Sequence, residues 1–499
     1  MTSYKTSQFT VAKKLDEHGL ATHVLVFNTR SGQAVLMESE KWDAVGLALY
    51  SQLPPPGSVA EAIEALANGG ILIEREFDER RDYEAGFDSR RYDATTIFPI
   101  FAVTTSCNIG CTYCYEEGVV GEKMNDEVVG GVLRWLERRI TLDGTRRIFP
   151  SLFGGEPLMH PRVLFALMDG LAELARRHDV EYAFTSSSNG ILLTGDLAEA
   201  LAARGLNQIQ ISLDGDQDHH DERRVGRRGQ PSFERSLEGI RNAVGRIPNV
   251  TVKINFDRHN RSSVTALYDF LLDEGLGAEV DVKLETIAYQ IGSSTAHNPA
   301  NVIPPQAPEL ADAYLELMIE ARRRGLQVNR ETAHTTPCMF SSQHGVIVGP
   351  DGSIYKCISL VGRKDLRVAT VFDDDLVGDE HERQMDTTKR TSECWEEGCP
   401  YIPVCAGGCA YESIVRTGRY DTRFCTKPYL EAWHYKKYLL RYQKRLEAAG
   451  AHPLTPERLR TTALPAQPVV AGCESGCGSG AAAMPSQLLA IEPMGAPRE

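Results

Sequence analysis

Between Ile97 and Ile287 the chain alternates between two periods. Apolar runs of strand length occur at IFPIFAV, RIFPSLF, EYAFTS, QIQISL, VTVKINF and VDVKLETI. Stretches of helical length and period separate them, such as NDEVVGGVLRWLERRI, with Asn125 or Asp126 placed to cap it. Strands joined through helices must cross over, so the six runs predict an α/β fold with a parallel sheet, either open or closed into part of a barrel. In such folds the strand ends, and the loops just after them, carry the chemistry.

The flanking regions read differently. Residues 1–95 look like a small separate unit: HVLVFNTRSGQAVLM predicts two strands about a turn at Arg30-Ser31-Gly32, and SVAEAIEALANGGILIERE a helix, a Gly-Gly stop and a strand. The mixed-sign stretch Glu74 to Arg91 reads as a solvated linker. Residues 330–448 are loop-rich and hold seven cysteines before a helix at PYLEAWHYKKYLLRYQKRLEAA; within them VIVGPDGSIYK reads as a β-hairpin. Residues 450–499, rich in Ala, Pro and Gly, read as a flexible tail. At 499 residues the chain has room for about three domains. Its net charge of −14 weighs against nucleic acid or an anionic membrane as a whole-surface partner, and no run of 18 apolar residues spans a bilayer. The N-terminus lacks the apolar core of an export signal, so the expected compartment is cytoplasmic. There, twelve cysteines read as metal ligands or catalytic groups rather than disulfides.

The first strand runs directly into CNIGCTYCYE, with Cys107, Cys111 and Cys114 spaced CxxxCxxC. Three thiolates in one short loop can grip three corners of a cubic iron–sulfur cluster, leaving the fourth iron open to substrate or cofactor. A structural zinc site would need a fourth ligand, and the nearest candidate, His160, lies beyond the next strand.

This motif, with the aromatic Tyr113 before its third cysteine, resembles the radical S-adenosylmethionine (radical SAM) enzymes. The resemblance implies a partial (β/α)6 barrel over residues 97–300. It also implies a [4Fe-4S] cluster on Cys107, Cys111 and Cys114, whose open iron chelates SAM, and a 5′-deoxyadenosyl radical that abstracts a substrate hydrogen. Later segments fit in register. FGGEP supplies Gly154, Gly155 and Glu156, which in the family hold SAM's amino group; SSSNG supplies Ser186, Ser188 and Asn189 at a strand end. SLDG supplies Ser212 and Asp214, which in related enzymes face the carboxylate and ribose of SAM, and Lys253 and Asn255 are further polar positions for the same site.

The second cysteine set is Cys338, Cys357, Cys394, Cys399, Cys405, Cys409 and Cys425, too many for one tetrahedral site. It resembles the SPASM domain appended to many radical SAM enzymes. That implies two auxiliary [4Fe-4S] clusters: one on Cys338, Cys357 and Cys409, the other on Cys394, Cys399, Cys405 and Cys425. The CxxxxC spacing of Cys394 and Cys399 departs from the family's usual CxxC, and this domain offers the first auxiliary cluster no fourth cysteine. Two zinc sites are the competing reading.

The combination resembles maturases of peptides and proteins. It implies a precursor peptide or protein as substrate, a thioether or carbon–carbon crosslink as product, and an electron donor such as flavodoxin or ferredoxin. Residues 1–95 look distantly like the winged-helix-like domains that bind a leader peptide. Formylglycine formation by a sulfatase maturase is an alternative, against which stands Ile358, where those enzymes usually place Asp after the cysteine. A zinc-bearing interaction protein without catalysis is the other. Cys473 and Cys477 read as incidental tail thiols or as a missing cluster ligand. Arg223, Arg224, Arg227 and Arg228 read as a solvated loop or as steering for an acidic peptide.

Overall fold

The computed structural model describes residues 3–51, 54–116, 119, 121–287, 299–328, 338–373, 378–452 and 455. The tail thiols Cys473 and Cys477, and nearly all of 450–499, lie outside the described residues.

The N-terminal region is a three-stranded antiparallel sheet, β1 (Thr10–Leu15), β2 (Leu20–Asn28) and β3 (Ala34–Glu38), followed by helices α1 (Ser39–Tyr50), α2 (Gly57–Asn68) and α3 (Glu79–Arg91). A sheet with one wet face alternates apolar and polar residues, yet β2 reads VLVF without interruption. The reason is that both faces are covered. Val24 and Val26 pack under Val59, Ala62 and Leu66 of α2, while Leu25 and Phe27 pack with Tyr401, Tyr438 and Leu439 of the cysteine-rich region. The stretch expected as a solvated linker is mostly α3. Asp78 caps it through Arg81 N–H, and Tyr83, Phe87 and Arg91, spaced four apart, are its buried face.

The core is a ladder of six parallel strands in chain order: β4 (Ile100–Thr104), β5 (Ser151–Gly154), β6 (Phe184–Ser188), β7 (Leu206–Ser212), β8 (Asn249–Phe256) and β9 (Asp281–Thr286). Helices α4 (Asp126–Leu142), α5 (Pro161–His178), α6 (Gly195–Ala202), α7 (Phe233–Ala243) and α8 (Val264–Asp273) fill the crossovers, and α9 (Pro308–Arg323) follows β9. This is the strand order of a partial (β/α)6 barrel. Leu152, Ile209, Ile211, Val252 and Ile254 share one solvent-free core with Trp135 and Leu171 of the helices. Their neighbours Gln210, Ser212, Lys253 and Asn255 fall on the other face by the two-residue period. Two of the predicted strands are broken by proline. Pro99 and Pro150 have no N–H for the ladder, and the pieces before them, Thr96–Ile97 and Arg147–Ile148, join Glu181–Tyr182 in a separate ribbon.

The cysteine-rich region is stitched to this sheet. β10 (Ile347–Val348) pairs in parallel with β4, and β11 (Ser353–Tyr355) and β12 (Ala369–Thr370) continue the ladder antiparallel, as the expected hairpin requires. Helices α10 (Thr388–Glu396), α11 (Ala410–Thr417) and α12 (Lys427–Arg441) are the longest that follow, so the region is less loop-rich than its sequence suggests. Among the described residues no helix is long and apolar enough to cross a membrane.

Candidate functional site

Cys107, Cys111 and Cys114 sit in the loop that leaves β4, at the carboxyl end of the parallel ladder. Two features hold that loop. The first is the Gly-Gly pair after β5. Gly154 adopts φ +133°, and a Cβ there would lie 2.1 Å from Thr104 O; a Cβ on Gly155 would lie 2.3 Å from Ser106 O. Gly155 N–H and Glu156 N–H donate to those two carbonyls at 2.8 and 2.9 Å. The glycines therefore let β5 lie against the backbone just before Cys107.

The second is a ribbon that the sequence did not suggest. Ile109–Cys111 pairs antiparallel with Arg224–Gly226, placing Arg224 opposite Cys111. Thr112 N–H donates to Arg223 O, and Arg227 Nε to Cys107 O at 2.6 Å. Arg223 and Arg224 are buried, which corrects the reading of a solvated or steering loop for these two, while Arg227 and Arg228 are exposed. Arg223 pairs with buried Asp257 at 2.9 Å and stacks over the Tyr113 ring, 5.0 Å from its centre.

Behind the loop lies a polar network. The Tyr113 hydroxyl donates to Asp214 and accepts from Arg224 Nη1 at 2.6 Å and Asn255 Nδ2 at 3.2 Å. Asp214, fully buried at the end of β7, also accepts from Asn255 N–H at 2.9 Å. Burial pushes its carboxyl up, but Arg224, Arg223 and the Tyr113 hydroxyl outweigh that and hold it below the usual carboxylate range. Asp214 N–H donates to His220 Nδ1 at 3.2 Å; His220 Nε2–H then donates to Ser232 Oγ at 3.0 Å, whose hydroxyl donates to Arg224 O. That chain fixes the tautomer, and burial lowers His220 to about 4.

Glu156 is fully buried. It accepts from Leu158 N–H at 3.0 Å, Ser188 Oγ at 2.9 Å and Asn189 N–H at 2.7 Å, tying β5 to the end of β6. A carboxylate offers about four acceptor directions, so one remains for an incoming donor. Asn189 Nδ2 reaches Cys107 Sγ at 3.9 Å. Ser186 bonds within the ladder to Leu152 O, and Ser212 is buried at the end of β7. Lys253 is half-buried beside Glu285 and Lys283; burial lowers its ammonium pKa.

The other seven cysteines fall into two groups. Cys338 and Cys409 lie near enough to Cys357 to act on it: burial raises Cys357 to about 12, and the Cys338 and Cys409 thiols push the same way. Cys394, Cys399, Cys405 and Cys425 line one small cavity with Arg423 and Lys427. Gly408, at φ +89° and with its Cβ position 1.8 Å from Phe424 O, lets the Cys405–Cys409 turn lie against the segment carrying Cys425. Among the described residues, no three His, Cys, Asp or Glu side chains converge closely enough for a single ion. Zinc needs sulfurs about 2.3 Å from one centre, whereas a cubic cluster holds its cysteines apart by its own width.

Residues 101–271 match the model of the radical SAM superfamily. Relatives include a probable GTP 3',8-cyclase from Saccharolobus solfataricus, 32% identical over 35% of this chain and 52% of its own. Another is a serine-type anaerobic sulfatase-maturating enzyme from Bacteroides thetaiotaomicron, 29% identical over 28% and 34%. The chain thus spans about half or less of these relatives. The fold is similar to that of anSMEcpe with bound AdoMet and Cp18Cys peptide, at TM-score 0.53 and 17% identity over 71% of this chain and 98% of that one. It is also similar to SuiB of Streptococcus suis bound to S-adenosylmethionine, at 0.50 and 14% over 85% and 99%. The match weighs against a zinc scaffold without catalysis. The ladder β4 to β8, with the cysteine trio at its mouth, is a radical SAM domain, the catalytic domain of that enzyme superfamily.

Proposed function

We propose that the chain is a SAM-dependent maturase of a peptide or protein, installing a thioether or carbon–carbon crosslink in a ribosomally made peptide. The observation that carries this reading is the gathering of ten cysteines into three sets, the second of which is joined to the radical SAM sheet through β10. The peptide bound to anSMEcpe beside AdoMet supports a substrate of that class.

In this reading Cys107, Cys111 and Cys114 hold a [4Fe-4S] cluster, and the other two sets hold auxiliary clusters. Bound there, the first cluster and SAM supply hydrogen-atom abstraction from the substrate. The chain's own residues do the positioning. Glu156 offers its remaining acceptor direction to the SAM ammonium. Arg224, Arg227 and the two glycines fix the loop. Ser212 and Asp214 stand at the end of β7, where the ribose and carboxylate of SAM are expected. The auxiliary sets take the electron left on the substrate, and a flavodoxin or ferredoxin supplies the starting one. The N-terminal sheet takes the leader segment.

The test is anaerobic incubation with SAM, a reductant and a short Cys-containing peptide encoded beside the gene. Loss of two hydrogens with formation of an internal crosslink supports the reading. Formylglycine in a sulfatase peptide would move the assignment to the chemistry named for the Bacteroides relative. Absence of any spectral change on adding SAM to the reconstituted protein would sink both.

A further inference from the structure

Arg390 on α10 is 3% exposed, and no carboxylate among the described residues pairs with it. Its Nη1 donates to Gly408 O at 3.0 Å and its Nη2 to Ser341 Oγ at 3.1 Å; its Nε has no hydrogen-bond partner. These contacts span the two sets. Gly408 lies between Cys405 and Cys409, and Ser341 ends the turn that opens at Cys338. One turn further along α10, the Cys394 thiol donates to Arg390 O at 3.8 Å. A carbonyl and a hydroxyl orient a guanidinium but do not neutralise it. Burial pulls Arg390 below its ordinary pKa, and what opposes that pull is the thiols of Cys338, Cys409 and Cys405. An unpaired buried cation costs several kcal/mol, so it persists where an anion faces it. The neighbouring buried cation Arg91 differs, because it has Asp88 at 3.2 Å.

We propose that Arg390 is the shared counter-ion and strut of the two auxiliary sites: a positioning residue between the Cys338/Cys357/Cys409 set and the Cys394/Cys399/Cys405/Cys425 set that makes both easier to reduce. This rests on the cluster assignment given above. A fixed cation near an iron–sulfur cluster stabilises its more negative, reduced form, so removing the charge lowers the reduction potential. A purely mechanical strut would alter cluster occupancy without a common downward shift.

The experiment is anaerobic redox titration with electron paramagnetic resonance, in a background carrying Cys107→Ala, Cys111→Ala and Cys114→Ala so that only auxiliary signals remain. Arg390→Met is expected to lower both auxiliary midpoint potentials. Arg390→Lys, which keeps the charge but not the fork, is expected to stay close to the parent. Should the Met variant fail to fold, Arg390→Gln replaces it and keeps a donor for Gly408 O. If the neutral variant leaves either potential unmoved at full iron content, or if Lys shifts both as far as the neutral residue does, the counter-ion proposal is overturned while the cluster assignment stands. A background protein that takes up no iron overturns the cluster assignment, and this inference with it.

Discussion

Acid should loosen the wall behind the cysteine trio through one side chain, His220. Its imidazole is fully buried, accepts from Asp214 N–H and donates to Ser232 Oγ. Burial lowers it from 6.5 to about 4, so the fold favours the neutral ring. Between those values the unfolded segment binds the extra proton. The ring's contribution is therefore complete above pH 6.5 and is lost as pH falls towards 4. The whole gap corresponds to about 3 kcal/mol, of which about 1.4 kcal/mol is lost by about pH 5.5. Hydrogen exchange of peptides covering Leu206 to Ser232 reads this locally, with His220→Gln as a non-titrating reference. Relative to that variant, the parent should lose about tenfold in protection between about pH 7.5 and 5.5. Equal losses in the two proteins would refute the assignment of the titrating group and the hydrogen-bond chain behind it.

Other outcomes follow from the same geometry. Gly155→Ala places a methyl group 2.3 Å from Ser106 O, so the loop before Cys107 must shift; SAM cleavage should collapse while auxiliary iron is retained, measured as 5′-deoxyadenosine and iron per chain. The associated strain is about 1–3 kcal/mol. Arg224→Met leaves Asp214 buried without the cation nearest it and should cost about 3–5 kcal/mol in denaturant unfolding, with Arg224→Lys costing less. Replacing Cys107, Cys111 and Cys114 together with Ala should abolish 5′-deoxyadenosine formation, and its persistence would falsify the trio's assignment.

The part of this molecule legible in sequence is the part governed by local period and spacing. The six strands, the Asn125 cap, the hairpin before Cys357 and the Arg30–Gly32 turn all depend on neighbours within a few residues. The grouping of seven thiols was expected only through a resemblance, since nothing local says that Cys409 faces Cys338 rather than Cys405. What sequence misjudged depends on distant partners. Four arginines within six positions look solvated by composition, yet Arg223 and Arg224 are buried because Asp257 and Asp214 wait just beyond the ends of other strands. The Glu74 to Arg91 stretch looks like linker by charge, yet its inward positions match a surface that includes Ser341, Met385 and Ile402. Arg91 bonds Ser341 O and Met385 O, and Tyr83 bonds Ile402 O.

These distant pairings also relate the three regions to one another. The radical SAM sheet continues into β10 and β11, so Cys357 is delivered by a strand hydrogen-bonded within the ladder that delivers Cys107. The N-terminal sheet packs its second face on the four-cysteine set, with Cys394 and Cys399 in the same core as Phe9, Phe27 and Tyr83. Phe9 and Tyr83 close on Trp395 with ring centres 5.9 and 5.6 Å apart, and Thr29 Oγ bonds Pro400 O. A segment that binds a leader through this sheet would therefore pull on the backbone that carries Cys394 and Cys399. Removing the sheet would strip apolar cover from the four-cysteine set while leaving the trio's own supports, the glycine pair and the Arg224 ribbon, in place. In the function proposed above, peptide recognition and electron storage would then share one core, and SAM binding would have its own.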